Sequence, residues 1–171
     1  MYNSLNNMGL DISLKLNKQI ESVELKNQFY AWNTNNSSDD ICCLSRAYCG
    51  LMLMQFDSYG NEVVGELNRV LEFDCSFLQE PKPNHVDEKE DTLFKFGWVN
   101  TIEFLGNLKK LEKTLQMKPD FSQSLNVDAN WKNYFNGQGR GTFFEDITNL
   151  IKVLEIGNEQ GLTEICYVVN G

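Results

Sequence analysis

Residues 137–170 carry the most completely specified local structure in the chain, and they limit the fold more than any other stretch. Thr142-Phe143-Phe144-Glu145 is a capping box, in which the threonine oxygen accepts from a first-turn amide and the glutamate reaches back. Phe143, Ile147, Leu150, Ile151 and Leu154 then recur at helical spacing, so one face of a helix is apolar. Gly157 or Gly161 stops it. Residues 162–169 form an apolar, β-branched run that reads as a strand covered on both faces. At the other end of the chain, Leu10, Ile12, Leu14 and Leu16 alternate with Asp11, Ser13 and Lys15, the period of a strand with one buried face. Two terminal strands flanking helical matter predict an α+β domain, a small sheet packed against about four helices.

The intervening chain supplies those helices. A second strand or hairpin arm is expected between 19 and 32, where Val23 and Leu25 alternate before Phe29, Tyr30 and Trp32. Ser38-Asp39-Asp40 closes an Asn-rich loop with the chemistry of an N-cap and an acidic first turn. It predicts a helix over about 39–56, with Ile41, Leu44, Ala47, Tyr48, Leu51 and Met52 inward. Ser58-Tyr59-Gly60-Asn61 breaks it, and Val63, Val64, Leu67, Val70 and Leu71 define a second helix over about 62–72. Asn100-Thr101-Ile102-Glu103 resembles another capping box. Ile102, Leu105, Leu108, Leu111 and Leu115 continue it as a helix over about 101–117, ended by Lys118-Pro119. A strand or helix entry is expected at 93–99, and 121–136 reads as irregular with Trp131, Tyr134 and Phe135.

The chain has 171 residues. That length allows one domain to bury about 70% of its unfolded surface. Residues 1–8 read as a flexible start, with Met8 as an alternative to Met1, and 79–91 as an exposed acidic loop inside the domain. Twenty-four acidic against fifteen basic side chains give a net charge of −9. Such a surface disfavours direct nucleic-acid binding, which draws its affinity from clustered Lys and Arg. It favours solubility and fast association with basic proteins. Cys42, Cys43, Cys49, Cys75 and Cys166 form no C-x-x-C and are odd in number, the pattern of free thiols in a reducing compartment. With no basic n-region at the N-terminus and no long apolar window, a cytoplasmic protein without a membrane span is expected.

Chemistry is sparsely signalled. His85 is the only histidine. It falls in the acidic loop and reads as solvated, since no G-x-S-x-G or comparable nucleophile motif accompanies it. Zinc would need more Cys and His at recurring spacing. Asp11, Asp57, Asp74 and Glu103 adjoin apolar runs, yet no D-x-D or EF-hand spacing selects a pair. Neither a catalytic residue, a metal nor a cofactor is therefore assigned. The Gly137-Gln138-Gly139-Arg140-Gly141 loop has the ingredients of an anion site before a helix. It is no dinucleotide fingerprint or P-loop, and Glu145 and Asp146 in the first turn would repel phosphate. Tyr30, Trp32, Trp131 and Tyr134 stand out as aromatic candidates for recognition.

Met8-Gly9-Leu10-Asp11-Ile12 opening a strand, and Phe143-Phe144-Glu145-Asp146 opening a helix before a C-terminal strand, resemble features of cytoplasmic immunity proteins of bacterial polymorphic and contact-dependent toxin systems. The likeness covers the two ends of the chain, under a third of it. It implies a small acidic α+β protein that binds and neutralises a cognate toxin, and it carries over no catalytic or interface residue. The expectation is a non-enzymatic binding protein whose contact surface includes Asp87, Glu88, Glu90 and Asp91, with Trp131 and Tyr134 as anchors. The alternatives are a small enzyme or nucleotide- or phosphate-binding protein using the 137–141 loop, and an acidic phage-encoded inhibitor mimicking nucleic acid.

Overall fold

The computed structural model describes residues 11–29, 40–53, 56–81, 97–137 and 140–170. Its centre is the pairing of the two terminal strands. β1 (Asp11–Leu16) and β4 (Glu164–Asn170) run antiparallel, with Ile12 opposite Val169, Leu14 opposite Tyr167 and Leu16 opposite Ile165. Directly opposed residues share a face, so these six side chains form one apolar surface. Two short strands flank the pair, β2 (Asp40–Ile41) against β1 and β3 (Val99–Asn100) against β4, giving the order β2-β1-β4-β3. The reverse face is covered as well around Ser13 and Cys166, both fully buried. β1 therefore departs from the single buried face that its alternation predicts.

Among the described residues, six α-helices complete the α+β domain: α1 (Val23–Phe29), α2 (Arg46–Leu53), α3 (Val63–Leu71), α4 (Thr101–Met117), α5 (Ala129–Asn136) and α6 (Phe143–Glu159). Short 3-10 turns lie at Ser76–Gln79 and Phe121–Ser124. The capping signals locate the two longest helices. Asn100 Oδ1 accepts from the Ile102 and Glu103 amides at 3.0 Å each. Thr142 Oγ1 accepts from the Glu145 amide at 3.4 Å. Inside α4 the buried stripe is Thr101, Phe104, Leu108, Leu111 and Leu115, while Ile102 is 72% exposed. The Thr101 amide bonds Thr163 O and its hydroxyl bonds Leu162 O. Those bonds fasten the helix start beside β4 with Thr101 inward, which turns Ile102 outward.

Two other expectations are corrected. Residues 23–29 form α1 rather than a strand, tied to α6 by Lys152 Nζ, which meets Glu24 at 2.6 Å and Gln28 at 2.7 Å. The helix expected from 39 starts only at Arg46, because Asp40–Ile41 is drawn into the sheet beside β1 and Ser45 becomes the capping residue. Ser45 Oγ accepts from the Tyr48 amide at 3.2 Å. Cys42 and Cys43 consequently precede α2. The irregular reading of 121–136 is also replaced, since Asp128 caps α5 through the Trp131 amide at 3.1 Å.

α6 ends in a Schellman turn. Gly161 takes a φ of +86°, its amide bonds Asn158 O, and the Leu162 amide bonds Gly157 O at 2.9 Å. That is the hydrogen-bond pair by which a left-handed glycine closes a helix. Gly157 has a separate role, because a Cβ there would lie 2.6 Å from Leu162 Cδ2 and 3.2 Å from Leu162 Cβ. Glycine inside a helix ordinarily costs about 1 kcal/mol against alanine. Here Gly157→Ala should instead destabilise by about 1–2 kcal/mol through overpacking, read as a lower urea midpoint with an unchanged m-value.

Candidate functional site

A cleft of about 660 Å³ opens where the end of α4, the end of α5 and the start of α6 meet. Leu115, Pro119, Phe121, Phe135, Phe143 and Phe144 give it an apolar lining, with Arg140, Glu145, Gln116 and Asn136 at polar positions. The glycine-rich loop forms part of this wall through Gly137 and Arg140. Gly137 is held close, since a Cβ there would approach Thr142 Cγ2 to 2.5 Å and Asn133 O to 3.1 Å. At the mouth of α6 the donors are engaged internally: Glu145 Oε2 accepts from the Gly141 amide at 2.5 Å, and Thr142 takes the Glu145 amide. Those bonds occupy two of the amides at the start of α6 that a phosphate could use. Arg140 is exposed and makes no ion pair among the described residues.

Asp146 does not face that mouth. It is 1% exposed and turns inward, accepting from the Ser45 amide (2.8 Å), the Ser45 hydroxyl (2.6 Å) and the Tyr134 hydroxyl (2.8 Å). Burial pushes its carboxyl up to about 6, against the pull of those Ser45 and Tyr134 hydrogen bonds. Nearby, the Tyr48 and Tyr167 hydroxyls share a 2.6 Å hydrogen bond, their rings edge to face. Burial, then the negative charge of Asp146, raises Tyr134 well above the usual phenol range. Burial likewise raises Cys43, raises Cys49 to about 11 and raises Cys75 to about 12. These thiols stay protonated at neutral pH and are poor nucleophiles. The cluster joins α2, α5, α6 and β4 as a polar framework inside an apolar core.

A second surface feature lies at the turn between α2 and α3. Phe56 and Tyr59 are 53% and 74% exposed, although the backbone beneath them is tightly held. Asp57 Oδ1 accepts from the Tyr59 and Asn61 amides at 2.9 and 2.8 Å, and Oδ2 from the Asp128 amide at 2.9 Å. Asp128 returns the arrangement, with Oδ2 accepting from the Ser58 amide (3.0 Å) and hydroxyl (2.7 Å). Gly60, at a φ of +84°, lets the Asp57 and Asn61 backbones pair. Burial opposes ionisation of Asp128, but donors from Ser58, Trp131 and Asn130 outweigh it and hold the carboxyl below the ordinary range.

The residues singled out from sequence fall in three groups. Asp87, Glu88, Glu90 and Asp91 lie outside the described residues, as do His85, Tyr30 and Trp32. Trp131 and Tyr134 are corrected: at 3% and 6% exposure they are core residues, not surface anchors. Trp131, Tyr134 and Phe135 pack with Phe143 as one aromatic cluster, with ring centroids 5.1–5.9 Å apart. Of the carboxylates near apolar runs, Asp11, Asp57 and Asp74 make structural bonds. Asp11 pairs with Arg46 at 3.0 Å, and Asp74 accepts from the Ser76 amide at 2.9 Å. No cluster of three His, Cys, Asp or Glu suited to a metal occurs among the described residues. None of the described helices is long and apolar enough to cross a membrane. Phe56 and Tyr59 escaped the sequence reading, although an Asp before a Ser-Tyr-Gly-Asn turn is the signal of a side chain bonding its own backbone.

What the fold defines is an α+β protein with its polar core groups turned on one another and two features open to a partner, the cleft and the aromatic turn. Compared with protein-family models, with curated proteins and with solved structures, the chain matches none.

Proposed function

We propose that the chain is a non-enzymatic binding protein that neutralises a basic toxin by direct protein–protein contact, with Phe56 and Tyr59 as its anchors. The observation that carries this reading is the combination of large exposed aromatics with a backbone held by the Asp57 and Asp128 carboxylates. Aromatic anchors dominate interface energetics. An anchor already fixed in place forfeits little freedom on binding, so more of its contact energy appears as affinity. The net charge of −9 gives the partner its sign, since an acidic surface steers and orients a basic one. Glu62, exposed at the foot of the same turn, supplies a local carboxylate. The likeness of the chain ends to immunity proteins points to the same class of partner.

The test begins with the full chain as bait in its source cells, followed by reconstitution of the complex from two purified proteins. The expected partner is a basic protein whose own expression arrests growth, with the arrest lifted when this chain is co-expressed. Phe56→Ala combined with Tyr59→Ala should keep the melting temperature and weaken the reconstituted complex roughly 30-fold or more. A partner that is harmless to cells, or a complex indifferent to the double variant, would overturn the reading.

A further inference from the structure

We infer that the cleft between α4, α5 and α6 is a binding site for a small amphipathic monocarboxylate, an alkyl or aryl body carrying one carboxylate. Its volume of about 660 Å³ lies within the roughly 300–1,000 Å³ of small-molecule sites, which combine an apolar lining with a few placed polar groups. Phe121, Phe135 and Phe143 offer the apolar body a wall of rings. The charge of the ligand follows from the two charged groups in the lining. Glu145 is occupied, its carboxylate bound to the Gly141 amide, whereas Arg140 has no acidic partner among the described residues. A guanidinium next to apolar surface is matched by a planar carboxylate, which it can hold through two parallel hydrogen bonds.

The same geometry selects against other head groups. A phosphate dianion would want backbone amides at the start of α6, and those of Gly141 and Glu145 are already bonded to Glu145 and Thr142. It would also meet the Glu145 charge more strongly than a monoanion does. An amine would meet Arg140. The site therefore ranks carboxylate above neutral amide, and both above phosphate and amine, on one shared apolar body.

Titration calorimetry of the full chain with octanoate and 4-phenylbutyrate, each beside its primary amide, amine and phosphate counterpart, tests this. Saturable one-to-one binding of the carboxylates is expected, weakened roughly 10- to 100-fold in Arg140→Ala, with amide binding unchanged by that variant. Thr148→Trp, at an exposed α6 position on the cleft wall, should abolish binding of both while the melting temperature holds. Carboxylate binding that ignores Arg140→Ala, binding that survives Thr148→Trp in the folded variant, preference for phosphate or amine, or no heat at millimolar carboxylate would each overturn the assignment. The outcome is independent of the toxin-binding reading, which rests on Phe56 and Tyr59, neither of which lines the cleft, and on a different assay.

Discussion

Asp146→Ala should cost about 3–5 kcal/mol of folding stability, the largest loss expected from any single side chain outside the apolar core. The substitution leaves the part-buried Ser45 amide and hydroxyl and the buried Tyr134 hydroxyl without their acceptor. Each unsatisfied buried donor costs about 1–3 kcal/mol, moderated where a hydroxyl can rotate to another partner. Ser45 also caps α2, and Tyr134 belongs to the aromatic cluster over α6, so the damage spreads through three elements. Asp146→Asn is the informative companion. Its amide oxygen can still accept from the Ser45 amide, and its NH₂ can donate to the two hydroxyls after they rotate. It should lie within about 1 kcal/mol of wild type near neutral pH.

The pair also separates charge from hydrogen bonding through pH. Burial holds the Asp146 carboxyl at about 6 in the folded chain, against an ordinary value of 3.8. The folded state thus binds this proton more tightly, so its contribution is fully present below about pH 4 and is lost as pH rises through 6. The unfolding free energy of wild type minus that of Asp146→Asn, from urea denaturation, should therefore fall across pH 4–6.5 by on the order of 2–3 kcal/mol. A flat difference would mean that the carboxylate is not desolvated.

How far the sequence announced this protein depends on the range of the interaction. α4 and α6 were legible to the residue at their starts because Asn100 and Thr142 act on amides two or three positions away. The terminal strands were legible because their apolar patterns extend over six residues or more. β2 was not, since two residues carry no period and Asp40–Ile41 becomes a strand only where β1 provides an edge. α5 shows the opposite failure: Trp131, Tyr134 and Phe135 have helical spacing, but eight residues with three aromatics read as a surface patch until α6 covers them. The first-turn position of Asp146 points to the helix dipole, and only Ser45, 101 positions earlier, shows its true direction. The cleft likewise joins residues from three helices, so its lining could not be assembled from spacing. The Phe56–Tyr59 turn owes its rigidity to Asp128, 70 positions from Ser58.

That long-range pin makes Asp128 the site of the second large effect, one that links stability to recognition. Asp128→Ala removes the N-cap of α5 and strips the Ser58 amide and hydroxyl of their acceptor in a single change. An N-cap is worth about 0.5–2 kcal/mol, and the exposed edge of the turn lets water replace part of the Ser58 bonds. The expected loss is about 2–3 kcal/mol by urea denaturation. Asp128→Asn, which still presents one acceptor oxygen for the cap, should recover about half. Because the folded carboxyl sits below its ordinary value, its contribution is present above about pH 4 and lost as pH falls through the folded value. This is the reverse of Asp146. Hydrogen exchange gives the decisive readout. The Ser58, Tyr59 and Trp131 amides should exchange faster in Asp128→Ala, while the β1 and β4 amides should change only with global stability. With the turn released, the anchors keep their chemistry but must be ordered at the moment of contact. A partner held by Phe56 and Tyr59 should then bind more weakly in Asp128→Ala, although neither aromatic has been touched. Unchanged affinity with accelerated exchange would show that the rigidity of the turn stabilises the fold without serving recognition.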